Sequence, residues 1–174
     1  FRSRGFSAIN LMGESAFRGC SSLESIKLEG RLSVIAPTAF ENCRKLQWVD
    51  LPASVVTIEE KAFHECNALR TIQLGQVRKV CKQAFDRCSS LTVADLSSAL
   101  TIEEKAFYEC TSLLQLTLGD GLTSLGKEAF RRCKALTQVT VPGAVSTIGK
   151  EAFRECSALK TVETPAGLKK IGSN

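Results

Sequence analysis

Eight cysteines and one histidine are the side chains here best suited to metal, redox or nucleophilic chemistry. Seven of the thiols, Cys20, Cys43, Cys66, Cys88, Cys110, Cys133 and Cys156, form a file that recurs every 22 or 23 residues. A zinc site needs ligands close in sequence, converging from two loops, and one thiol per repeat does not supply them. Disulfide pairing along the file would leave an odd member and demand bridge geometry between repeats. The file is therefore read as buried, reduced thiols acting as small apolar core residues. Cys81 stands outside it, beside Val80, where other repeats carry Glu59, Glu103, Gly126 or Gly149. That position reads as exposed: an incidental surface thiol, unless Arg78, Lys79 or Lys82 lowers its pKa enough to make it reactive.

His64 follows Phe63, at a place where other repeats hold Arg18, Glu41, Asp86, Tyr108, Arg131 or Arg154, a column that reads as solvent-facing. With no second histidine and with Cys66 in the core file, neither a Cys-His nucleophile nor a histidine metal pair can be assembled. The carboxylate pairs Glu59-Glu60 and Glu103-Glu104 each precede a lysine, Lys61 or Lys105, and read as mixed-charge corners rather than acid-base machinery. No G-x-G-x-x-G, P-loop or G-x-S-x-G motif occurs. The expectation is a non-enzymatic protein with no catalytic, cofactor-binding or metal site.

Composition narrows the functional classes further. At 174 residues, 44% hydrophobic and 24% charged, the chain can bury a core. No apolar run reaches the roughly 18 residues of a membrane-spanning helix, so direct membrane insertion is not expected. The net charge of +5 is small and interleaved with acid, and a single Trp and a single Tyr leave little for base stacking. Nucleic acid is therefore not an expected partner.

What must position these residues is a repeat. Seven of the nine Phe follow an Ala, at Phe17, Phe40, Phe63, Phe85, Phe107, Phe130 and Phe153. Each is followed at three-residue steps by the file cysteine and then by a leucine, so that the unit reads A-F-x-x-C-x-x-L-x-x-[IV]-x-L. A fixed period in this range signals a solenoid. The period-2 step at its end, as from Val49 to Leu51, predicts one short strand per repeat, stacked into a parallel sheet. Apolar positions three and four apart in Ala-Phe-x-x-Cys predict a short helical or 3₁₀ turn opposite. Met12, Ile35, Ile58, Val80, Ile102, Leu125 and Ile148 form a further apolar column five residues before each Phe. Pro52, Pro142 and Pro165 sit just past the strand, where a missing N–H is harmless. The two 22-residue units lose a residue at this corner, between Leu74 and Val77 and between Leu96 and Ala99.

With these motifs the chain resembles leucine-rich repeat proteins of the BspA-like type, and the resemblance covers essentially all 174 residues. It departs from the commonest leucine-rich repeat, which places an Asn or Cys ladder after the last Leu. Here that place holds Arg31, Ser54, Gly121 and Ala144, and the Cys follows the Phe instead. The resemblance implies an α/β repeat solenoid: a right-handed coil of about seven repeats with one parallel-sheet face and helical turns opposite. It also implies a module that binds other macromolecules, often as a cell-surface adhesin, by analogy of fold alone.

The exposed strand face is the expected contact surface. One outward column reads Ser25, Trp48, Thr71, Val93, Gln115, Gln138 and Thr161; the other reads Lys27, Asp50, Gln73, Asp95, Thr117, Thr140 and Glu163. Trp48 has no core to fill there, and Trp is enriched at interface hot spots. Trp48, Asp50, Thr71, Gln73, Val93 and Asp95 are the candidate protein-binding residues. Basic residues gather elsewhere, at Lys127, Arg131, Arg132, Lys134, Lys150 and Arg154, interrupted by Glu128, Glu151 and Glu155, and read as a solvated face. The rival expectation is a scaffold segment of a larger assembly, held by its ends and turn side. The chain opens at Phe1 and stops just where another Ala-Phe turn is due, which reads as residues 1–174 being one solenoid cut from a longer protein. On compartment the signals diverge: the resemblance points to the cell surface, and a file of unpaired thiols to a reducing interior.

Overall fold

The computed structural model describes residues 10–173, so the end residues Phe1 and Asn174 lie outside the described part. Fourteen short strands follow one another there: β1 (Ser25–Lys27), β2 (Val34–Ile35), β3 (Trp48–Asp50), β4 (Thr57–Ile58), β5 (Thr71–Ile72), β6 (Lys79–Val80), β7 (Val93–Leu96), β8 (Thr101–Ile102), β9 (Gln115–Leu118), β10 (Ser124–Leu125), β11 (Gln138–Thr140), β12 (Thr147–Ile148), β13 (Thr161–Glu163) and β14 (Lys170–Ile171). Every pairing is parallel and joins a strand to the strand two further on, one coil away. The chain is a parallel-sheet β-solenoid.

It has two strand walls where the sequence suggested one. The even-numbered strands, built on the apolar column ahead of each Ala-Phe, form a continuous seven-stranded sheet. The odd-numbered strands form the expected wall, but in three segments: β1-β3-β5, β7-β9 and β11-β13. Six steps separate β1 from β13, so the expected seven repeats resolve into about six complete turns.

The expected helical turns are absent: the described residues contain no helix, and therefore none that could cross a membrane. The Ala-Phe-x-x-Cys stretch is instead a zigzag. In the coil around Phe63, Ala62, His64 and Cys66 donate to carbonyls three residues back, as a 3₁₀ turn would. The intervening N–H groups of Lys61, Phe63 and Glu65 donate to Lys82, Ala84 and Asp86 of the next coil. Lys61 (φ 55°) and Glu65 (φ 57°) take the left-handed conformation that this alternation requires. The same two columns are left-handed from Ser15 to Glu155, and only Gly19 among them is a glycine. Left-handed backbone costs an L-residue roughly 1 to 2 kcal/mol; the inter-coil hydrogen bonds offset it.

The core lies between the three sides. Phe40, Phe63, Phe85, Phe107 and Phe130 are fully buried, and consecutive rings from Phe17 to Phe153 stack with centroids 5.0 to 5.6 Å apart and planes within 9°. Burying each ring contributes about 2 to 3 kcal/mol. The corner after the strand closes as a four-residue turn. In 23-residue units it starts at the proline position, Val55 N–H donating to Pro52; in the short units it starts one residue earlier, Val77 donating to Leu74 and Ala99 to Leu96. The missing residue is thus absorbed in the turn, and both walls keep their register.

Candidate functional site

The pleat of the odd-numbered strands turns Val49, Ile72 and Ala94 inward and the residues on either side of each outward. The ladder sets Trp48 between Ser25 and Thr71 and places Lys27 opposite Asp50. Trp48, Asp50, Thr71 and Gln73 line one shallow, open depression of about 230 Å³. Val93 and Asp95 stand on β7, which pairs with β9 rather than β5, so the six candidate residues fall on two ladder segments. A bond from Thr92 N–H to the Arg70 carbonyl, 3.3 Å, holds the two segments side by side. Trp48 and Val93 are 43% and 41% exposed and stand two coils apart on one face. The Lys27 ammonium turns away from Asp50 to Glu29, at 3.1 Å.

A second feature of this face was not anticipated. Between β9 and β11 the ladder is interrupted, and a cleft of about 470 Å³ opens among Leu114, Gln115, Leu116, Thr117, Thr137 and Gln138. Leu114 is 52% exposed at a place where other repeats carry Glu24, Gln47, Arg70, Thr92, Thr137 and Lys160. That lone apolar residue in a polar column was the available signal.

The thiols and the histidine are placed differently from expectation in three respects. Cys81 is buried, 3% exposed, because the corner around it is covered by the neighbouring coils. Its Sγ lies 3.4 Å from Glu59 Oε2. Burial, then the carboxylates of Glu103 and Glu59, push its thiol up to about 12. Lys79 works against this but is outweighed, its ammonium being held by Glu103 at 3.2 Å, while Lys82 is held by Glu104 at 3.6 Å. Cys20, first in the file, is exposed, whereas Cys43 to Cys156 are buried. His64 is half-buried rather than solvent-facing, with Nδ1 3.4 Å from the buried Asp86 Oδ2 and Nε2 3.8 Å from Glu65. Glu41 and Asp86, in the same column, are buried as well.

On the turn side, the column two residues after each Phe alternates in sign: Glu65, Arg87, Glu109, Arg132, Glu155. Arg87 bridges Glu65 and Glu109 at 3.0 and 3.1 Å, Arg132 bridges Glu109 and Glu155, and Arg44 closes the ladder on Glu65 at 3.0 Å. Burial works to raise the Glu65 pKa, but hydrogen bonds from Arg87 and Arg44 outweigh it and hold the carboxyl low. Glu155 is held low by Arg132 and Arg131. Arg131 also reaches Glu151 at 2.8 Å and lies over the Tyr108 ring. The basic residues expected to form a solvated face are therefore largely taken up in ion pairs.

A family model of the BspA-type leucine-rich repeat region matches residues 10–101 and 82–174, with six copies of the repeat. The chain belongs to that family. Among solved structures, the BspA-type coil is similar to a leucine-rich repeat protein from Eubacterium ventriosum, with a TM-score of 0.77 and 21% identity over 85% of this chain and 41% of that one. It is also similar to the leucine-rich repeat protein of T. pallidum, with a TM-score of 0.54 and 25% identity over 90% of this chain and 72% of that one. A leucine-rich cell surface protein from Faecalibacterium prausnitzii matches with a TM-score of 0.51 and 21% identity, over 92% of this chain and 62% of that one. The BspA-type chain thus spans 41% and 62% of the lengths of two of these relatives. No curated protein matches it.

Proposed function

We propose that this BspA-type solenoid is a non-enzymatic protein-binding module whose contact surface is the strand face around Trp48. The observation that carries this reading is the pairing of exposed Trp48 and Val93 with two carboxylates, Asp50 and Asp95, on a wall whose other outward positions are small or polar. Large aromatic side chains with a polar rim are what interfaces use as anchors. The scaffold alternative draws on the turn side, and there the charged side chains already hold one another, which leaves fewer of them free for a partner. An enzymatic role has little to draw on: the one thiol outside the file is buried and hard to ionise, and the one histidine is packed against Asp86.

Trp48→Ala tests the reading. A partner that docks on this face loses about 1 to 2 kcal/mol of affinity, while a partner held by the turn side binds unchanged. Trp48 is exposed and packs no core, so the variant keeps its fold, and circular dichroism checks that it does.

A further inference from the structure

The strand face carries two parallel columns, and we infer that they receive an extended basic segment of the partner, with Lys or Arg at positions i and i+3. This rests on the strand face being the contact surface and names the chemistry that the surface fits. Over the coils of β3, β5 and β7 the first column reads Trp48, Thr71, Val93, apolar on either side of a threonine, and the second reads Asp50, Gln73, Asp95, acidic on either side of a glutamine. Two coils separate Trp48 from Val93 and Asp50 from Asp95, about 9 to 10 Å between backbones, although β5 and β7 lie side by side without pairing.

Asp50 and Asp95 stand in no ion pair among the described residues, although the lysine opposite Asp50 is close enough in the ladder to have supplied one. Asp95 is set in place by the Ser97 N–H, which donates to its Oδ1 at 3.1 Å. Its Oδ2 leans over Gly75, where a Cβ would come within 3.0 Å of it. The carboxylate therefore overhangs the coil that lies towards Asp50, and the absence of a side chain at Gly75 leaves room for it. Arg70 precedes Thr71 at the entry edge of the wall, on the Trp48 side and away from the carboxylate column.

A polyproline-type segment advances 3.1 Å per residue with three residues per turn, so residues i and i+3 project to the same side about 9.3 Å apart. That is close to the backbone separation of the two coils that carry Asp50 and Asp95, and a flexible Lys or Arg stem takes up the lean of Asp95 towards Gly75. A β-strand ligand would put i and i+3 on opposite faces, and a helix, 10 to 12 Å across with its side chains, would overhang columns only about 7 Å apart. Basic side chains on the extended segment reach Asp50 and Asp95 while their stems, or a guanidinium plane, cover the Trp48 indole. The chain's net charge of +5 repels basic ligands in general, so the fit has to be local.

Trp48 is the only tryptophan, so its emission reports this face alone. The test titrates the protein with a blocked hexapeptide Pro-Arg-Pro-Pro-Arg-Pro, with its glutamate counterpart, and with an isomer whose arginines stand at i and i+2. The expected result is a saturable, salt-sensitive change in Trp48 emission with the first peptide. Affinity should fall about tenfold in Asp50→Asn or Asp95→Asn, and about as far for the i+2 isomer. Silence towards the first peptide overturns the inference, as does equal binding by Asp50→Asn/Asp95→Asn. A response to the glutamate peptide alone also overturns it, but leaves the strand face standing as a contact surface. If Trp48→Ala leaves the affinity of the natural partner unchanged, the strand-face reading falls too.

Discussion

The Cys66 thiol donates to the Phe40 carbonyl of the preceding coil across 3.1 Å, and that same carbonyl already accepts the Cys43 N–H at 3.0 Å. The relationship repeats from Cys43 to Cys156, each thiol using the second lone pair of a Phe carbonyl one coil back. A residue here has to be small, apolar and able to donate one hydrogen bond, and Cys meets all three conditions. Burial raises the pKa of every one of these thiols, to about 11 at Cys43 and Cys156. They are thus chemically quiet without a reducing environment, and the file no longer argues for one compartment over another.

Replacing one member should separate packing from bonding. Cys88→Ala is expected to lower stability by about 1 to 2 kcal/mol, from a small cavity and an unused carbonyl lone pair. Cys88→Ser keeps a donor of nearly the same size, so the stability it recovers over Cys88→Ala reads the hydrogen bond. Urea midpoints with unchanged slope would measure both.

Thiol alkylation in the folded state should label Cys20 alone and spare Cys81, with the other seven thiols reacting only in denaturant. Native labelling of Cys81 would show that its corner opens readily.

The turn-side ladder should make stability depend on salt and acid. Arg87→Glu puts a carboxylate between Glu65 and Glu109, and the resulting loss should shrink as salt rises. Arg87→Ala should cost about 1 kcal/mol, since the side chain is half exposed and its pairs are screened. The Glu65 and Glu155 carboxyls have lowered pKa values in the fold, so their contribution is fully present above the ordinary value of 4.5 and is lost as pH falls through the folded value. Acid unfolding followed by circular dichroism should therefore steepen below that value, and Arg87→Ala should weaken the dependence.

Two glycine substitutions at left-handed positions should differ in sign. Lys61→Gly removes only the cost of the conformation and should stabilise by about 0.5 to 1 kcal/mol, net of the extra freedom it gives the unfolded chain. Glu65→Gly relieves the same strain but gives up the ion pairs with Arg44 and Arg87, so thermal unfolding should show no gain.

The solenoid was legible in the sequence because Phe, Cys and Leu recur in columns that never break. The outward strand columns were legible for the same reason, since the pleat fixes which side Trp48 and Asp50 take. The Ala-Phe turn was not: spacings of three and four suit a helix, and nothing in residues such as Lys61 or Glu65 advertises a positive φ. Inter-coil hydrogen bonds impose it, and they exist only once the coils have stacked. Cys81 was misplaced for a related reason, because the Glu59 and Glu103 side chains that surround it come from the coils on either side. The charge ladder lay open in the alternation from Glu65 to Glu155, but only to a reading down the column rather than along the chain.

The most direct test of the strand face as the contact surface is cross-linking mass spectrometry on the native, full-length protein with its partner in place. Links to the partner from Lys27 and from the carboxylates of Asp50 and Asp95, lost in Trp48→Ala, are the expected result. Links confined to Lys127, Lys134 and Lys150, unchanged in that variant, would contradict it and move the contact to the turn side.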